Sequence, residues 1–175
     1  PSNHTAEDQA LWETLTQERA RRLAGLRLTV LPLTRLEYRS SVKLAQVPEG
    51  ESGQLSDPGL AEAIRQNLAQ AVRALRLKTE VAAGCSSGLK VEPRAVMTCE
   101  VKSGYHFCTL SLGGRIGFCT GKGRSAEFSM DDGGLRGADA GNDYGKLKNG
   151  ILKKLGQPDV SKSLKAKLKA HLPVH

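Results

Sequence analysis

Residues 89–130 constrain the fold most. Across them apolar, aromatic and β-branched residues alternate with polar ones and no helical stripe appears. Two steps punctuate the run, Ser103-Gly104 and Gly113-Gly114, both of residue types that tolerate the positive φ of two-residue hairpin loops. If both are loops, the first sets Cys99 opposite Cys108 and the second sets Cys108 opposite Cys119, one row across a meander. The registers agree with each other, because 99/108 then falls on a non-hydrogen-bonded pair and 108/119 on a hydrogen-bonded one, as a middle strand requires. The row shares its face with Ala95, Met97, Val101, His106, Leu110 and Leu112, which reads as a core face. The opposite face then holds Thr98, Glu100, Lys102, Tyr105, Phe107, Thr109, Ile116 and Phe118.

The flanking segments supply helices. Thr5 and Asp8 cap a helix over about 6–24, with Leu11, Trp12 and Leu15 at near-helical spacing. Two short strands follow at about 27–37 and 41–47. Asp57-Pro58 then opens a second helix, to about 76, striped by Leu60, Ile64, Leu68, Val72 and Leu75. Leu147, Ile151 and Leu155 mark a third helix, and Val160, Leu164, Leu168 and Leu172 a fourth. This order predicts one α+β domain over 1–175. Its sheet is expected to be mainly antiparallel, with a three- to four-stranded meander at about 89–130, two helices in the N-terminal half and two basic C-terminal helices.

Four cysteines admit three readings. Spacings of 13, 8 and 10 lack the tight knuckle of a zinc site, even with His106 as a fourth ligand. A disulfide pair is possible, Cys99–Cys108 with Cys85–Cys119, and would indicate a secreted protein. The favoured expectation is free thiols buried as small hydrophobes, which suits a cytoplasmic or nuclear protein. The longest apolar run is a few residues, far too short for a transmembrane helix, and no leader-like segment opens the chain.

The formal net charge of +8 is unevenly spread. Lys and Arg against Asp and Glu stand at 11 to 10 over residues 1–87 and at 15 to 8 over residues 88–175. From 144 to 175 the chain carries Lys146, Lys148, Lys153, Lys154, Lys162, Lys165, Lys167 and Lys169, no arginine, and only Asp159 in opposition. Lysines around intact apolar stripes point to docked helices that present charge outward, a surface that attracts phosphate through counterion release without base readout. The expected partner is nucleic acid, RNA or DNA, with an anionic protein or membrane surface as the other candidates. No cofactor and no metal site is expected.

Two further constellations bear on chemistry. Ser103-Gly-Tyr-His-Phe-Cys-Thr-Leu110 resembles the aromatic strand motif of RNA-recognition domains in Gly104, Tyr105 and Phe107, and Tyr105, Phe107 and Lys102 share a face on which bases could stack. Glu100-Val-Lys102 has the Glu-x-Lys form of metal-dependent nucleases, toxin-type domains included, with Glu92 or Glu80 as the second acid. That enzyme is the alternative to a non-catalytic binding protein, and an assembly subunit with a basic docking surface is the third. Gly117-Phe-Cys-Thr-Gly-Lys-Gly123 is similar to a phosphate loop but one residue short, and reads as a glycine-rich hairpin turn. Likewise Gly137-Ala-Asp-Ala-Gly-Asn-Asp-Tyr144 resembles one calcium-binding nonapeptide, too few copies to stack, and reads as an acidic loop.

Overall fold

The structure is a computed structural model that describes residues 5–130 and 134–172. Residues 1–4, 131–133 and 173–175 lie outside the described residues. The elements follow the order α1 (Ala6–Gly25), β1 (Arg27–Val30), β2 (Leu36–Ser40), β3 (Gln54–Leu55), α2 (Pro58–Ala74), β4 (Lys78–Val81), β5 (Leu89–Lys102), β6 (Tyr105–Phe118), β7 (Ala126–Met130), β8 (Arg136–Asp139), α3 (Tyr144–Leu155) and α4 (Pro158–His171).

The sheet is built on one long hairpin. β5 and β6 are 14 residues each and pair from Leu89↔Phe118 to Lys102↔Tyr105. At about 3.3 Å per residue the spine is roughly 46 Å long. Ser103 (φ 53°) and Gly104 (φ 79°) form its turn, as the sequence predicts, and Cys99 stands opposite Cys108. Short strands then fill both edges. β1 and β2 lie end to end along β5, both parallel to it, with Pro32 in the gap between them, and β4 adds outside β1, also in parallel. On the far side, β7 and β8 both pair antiparallel with β6, and β3 closes the β2 edge.

The expectation of a mainly antiparallel sheet carried by a meander is therefore corrected: the sheet is mixed. Three parallel pairings, β1 with β4, β1 with β5 and β2 with β5, bring in the N-terminal half of the chain. Strand β4 went unread in the sequence, and with it the crossover through α2 that parallel neighbours require. The segment 41–47, expected to be a strand, contributes only an isolated bridge from Ala45 to Asp143.

The second proposed turn is also corrected, because Gly113-Gly114 lies inside β6. A Cβ at Gly113 would stand 2.6 Å from the Phe128 carbonyl oxygen, and one at Gly114 would stand 2.4 Å from the Glu92 carbonyl oxygen. β6 is squeezed there between β5 and β7, and only glycine fits. With no turn at 113–114, strand alternation continues and Ile116 joins the buried face with Leu112. Phe118 falls on the same face, and Cys119 lies past the strand end instead of opposite Cys108.

All four cysteines are paired, Cys85 with Cys119 and Cys99 with Cys108. The free-thiol expectation is overturned, and zinc loses its thiolate ligands. The Cys85–Cys119 bond, the second pair of the disulfide alternative, ties the loop after β4 to the loop after β6.

Helices α2, α3 and α4 cover one face. Leu60, Ile64, Leu68 and Val72 of α2, Leu147 and Ile151 of α3, and Leu164 and Leu168 of α4 are all buried, against Leu28, Val30, Leu89, Val91, Met97, Leu110 and Leu112 of the sheet. α3 lies directly on β8. A Cβ at Gly137 would be 2.0 Å from the Leu147 carbonyl oxygen, and one at Gly150 would be 2.9 Å from the Gly137 Cα. Both edges of that contact must be glycine for helix and strand to approach so closely. Among the described residues no helix covers the other sheet face. On α1, Leu11, Trp12 and Leu15 are exposed.

Candidate functional site

The outer surface of the helical layer collects the lysines of the C-terminal segment. Asp143 caps α3 by accepting from the Gly145 amide at 2.8 Å, and Pro158 occupies the first turn of α4. Because each apolar stripe points at the sheet, lysines off the stripe must point away from it. Lys146, Lys153 and Lys154 of α3 and Lys162, Lys165, Lys167 and Lys169 of α4 are exposed. Lys162, Lys165 and Lys169 follow i, i+3, i+7 spacing and line one flank of α4. Among the described residues none of the seven makes an ion pair, and Asp159 remains the one acid on these two helices.

Lys148 differs. Its ammonium lies 3.0 Å from both carboxylate oxygens of Asp57, whose side chain is only 7% exposed. Asp57 also accepts from the Tyr144 hydroxyl at 2.7 Å and, as the N-cap of α2, from the Leu60 amide at 3.1 Å. Burial pushes the Asp57 carboxyl up, but the hydrogen bonds from Tyr144, Lys148 and Leu60 together with the Lys148 charge outweigh it and hold it below its usual value. Burial, reinforced by the adjacent carboxylate, raises the Tyr144 hydroxyl far above the ordinary tyrosine range. The trio clamps the start of α2 to α3, so Lys148 serves the fold and is withdrawn from the basic surface. Tyr144 and Lys148 are i, i+4 on one helix, but nothing in the sequence marks Asp57, 87 residues away from Tyr144, as their partner.

The remaining candidates lie on the opposite side of the sheet. Lys102 and Tyr105 flank the Ser103-Gly104 turn as register partners and are exposed. Phe107 alternates with the buried Cys108 and Leu110, so it faces away from the helices. The Arg136 guanidinium lies 5.4 Å from the Phe107 ring centroid, and its Nε donates to the Thr109 hydroxyl at 3.3 Å, so the ring already carries a cation on its face. The two parts of the expected nucleic-acid surface are thus separated by the thickness of the domain.

Glu100 and Lys102 are exposed beside the same turn, whereas Glu92 lies eight residues back along the same strand, about 26 Å away. Glu92 is held by Lys90 at 2.9 Å, and Glu80 lies 3.8 Å from Arg27 on β1. Neither acid meets Glu100. Among the described residues no three His, Cys, Asp or Glu side chains gather to hold a metal ion. His106, expected on the core face, is half-buried on it with Asp139 as its register partner, and its Nδ1 makes no hydrogen bond.

Comparison with known proteins adds little to this geometry. No protein-family model and no curated protein sequence matches the chain. A crystal structure of an uncharacterised protein aligns over 82% of this chain and 92% of its own, at a TM-score of 0.38 and 12% identity. Among the described residues no helix is long and apolar enough to cross a membrane.

Proposed function

We propose that the domain is a non-catalytic polyanion-binding protein that holds the phosphate backbone of nucleic acid, or a chain of like charge density, against the outer face of α3 and α4. The observation that supports this reading is the set of seven exposed lysines, unpaired among the described residues and opposed by one aspartate on their helices. Point charges on flexible stems suit a repeating anion read by charge alone, since they lack the planar fork that distinguishes one base from another. The unoccupied sheet face contributes less, because Phe107 is covered by Arg136 and the charges there largely pair with one another. The two disulfides favour an oxidising compartment, where such bonds persist, in place of the cytoplasm or nucleus.

Anisotropy titrations of labelled single- and double-stranded oligonucleotides at increasing salt test the reading. Each neutralised phosphate contributes about 0.9 to the logarithmic salt slope on duplex DNA, so changing Lys162, Lys165, Lys167 and Lys169 together to Gln should lower that slope by about 3.6. An unchanged slope and affinity would refute it.

A further inference from the structure

A second concentration of positive charge lies away from the helices, where the loop from Cys119 to Ser125 folds back beside β5 and β6. Lys90, Arg115, Lys122 and Arg124, with Glu92, line a concavity of about 120 Å³ there. Lys90 and Glu92 pair at 2.9 Å and Arg115 reaches Glu127 at 3.1 Å, but among the described residues neither Lys122 nor Arg124 has an ionic partner. Even with both glutamates counted, four cations face two anions, and confining like charges at one concave spot raises the local potential.

The loop is fixed and not merely present. Cys119 is bonded to Cys85, and its amide donates to the Gly88 carbonyl at 2.9 Å. Gly121 (φ 76°) donates to the Phe118 carbonyl at 2.9 Å. Gly123 (φ 90°) lies so close to the Phe118 ring that a Cβ would stand 3.1 Å from it. Glycine at both positions lets the loop curl back and carry Lys122 and Arg124 to the cations already on the strands.

We propose that this concavity is a subsite for a phosphate-type oxyanion, inorganic phosphate or a terminal phosphomonoester, independent of the lysine helices. Its volume of about 120 Å³ is enough for a tetrahedral oxyanion. Arg115 and Arg124 supply planar donor pairs matched to two oxyanion oxygens, and Lys122 supplies a point charge.

The test uses the intact, disulfide-bonded protein. Amide shifts are followed while inorganic phosphate is added, with chloride at matched ionic strength as the control and glycerol phosphate as the monoester arm. Saturable shifts at Gly117, Gly121, Lys122 and Gly123 are expected. The double variant K122Q/R124Q should weaken binding about tenfold, while the Gln variant of the four α4 lysines leaves it unchanged. Binding of glycerol phosphate as tight as that of inorganic phosphate would support a site open to chain-terminal phosphates, whereas binding of the inorganic ion alone would support one for the free ion. Shifts that never saturate, or that match those with chloride or are confined to α3 and α4, would overturn the proposal. So would undiminished affinity in K122Q/R124Q with a spectrum otherwise like that of the wild type. The mapping on the wild-type protein stands even if the double variant fails to fold.

Discussion

Replacing Lys148 with Met separates the one structural lysine of the C-terminal segment from its neighbours. The substitution keeps the aliphatic stem and removes the ammonium that lies 3.0 Å from both oxygens of Asp57. Asp57 retains the Tyr144 hydroxyl and the Leu60 amide but loses its countercharge while staying buried. Breaking a fully buried pair costs about 3–5 kcal/mol. The Lys148 side chain is 25% exposed, and water screens part of that loss, so about 2 kcal/mol is expected near neutral pH. For a chain of this length that is a fall in Tm of roughly 4–8 °C. Because the folded-state carboxyl of Asp57 is held below its unfolded value of 3.8, its contribution is present above that value and is lost as pH falls through the lower folded one. Urea unfolding of wild type and K148M across pH 3–7 should therefore show a gap that closes in acid. A gap below about 0.5 kcal/mol at neutral pH, or one that widens in acid, would refute the clamp.

Three other perturbations probe separate parts of the account. Gly137→Ala forces a methyl group into the Leu147 carbonyl and should cost roughly 3 kcal/mol or prevent folding, as read by urea denaturation, whereas Ala at Gly104, where space is open and only the positive φ opposes it, should cost about 1–2 kcal/mol. Removing Cys85–Cys119 as a double Ala variant should destabilise by about 4 kcal/mol, against about 3 for Cys99–Cys108, because the first closes the longer loop. Thiol titration in denaturant should detect no free thiol before reduction and four after it.

Much of the architecture was legible because local signals and tertiary structure agree. The stripes of α2, α3 and α4, the Asp57-Pro58 start and the Ser103-Gly104 turn each state their own conformation. Parallel pairing has no such local mark. β1, β2 and β4 are four or five residues long, and which strand each meets depends on a crossover through α2 that becomes visible only once Lys78–Val81 is read as a strand. Gly113-Gly114 misled for a related reason. A glycine pair reads the same whether the chain turns or is tightly flanked, and only the Phe128 and Glu92 carbonyls on either side distinguish the two. That single error carried Ile116 and Phe118 to the wrong face and set Cys119 opposite Cys108 instead of past the end of β6. For the candidate surface, the sequence located the lysines correctly on two amphipathic helices, but it did not show that Lys148 is occupied or that Tyr105 and Phe107 lie across the sheet from the rest.

The most direct test of polyanion binding by the helical layer is amide shift mapping on the disulfide-intact protein with a short oligonucleotide at low salt. The account predicts perturbations along the solvent-facing residues of α3 and α4, among them Lys146, Lys153, Lys162, Lys165 and Lys169, that fade as salt is raised. Perturbations confined to the open sheet face around Tyr105, Phe107 and Arg136, or none at all, would contradict it.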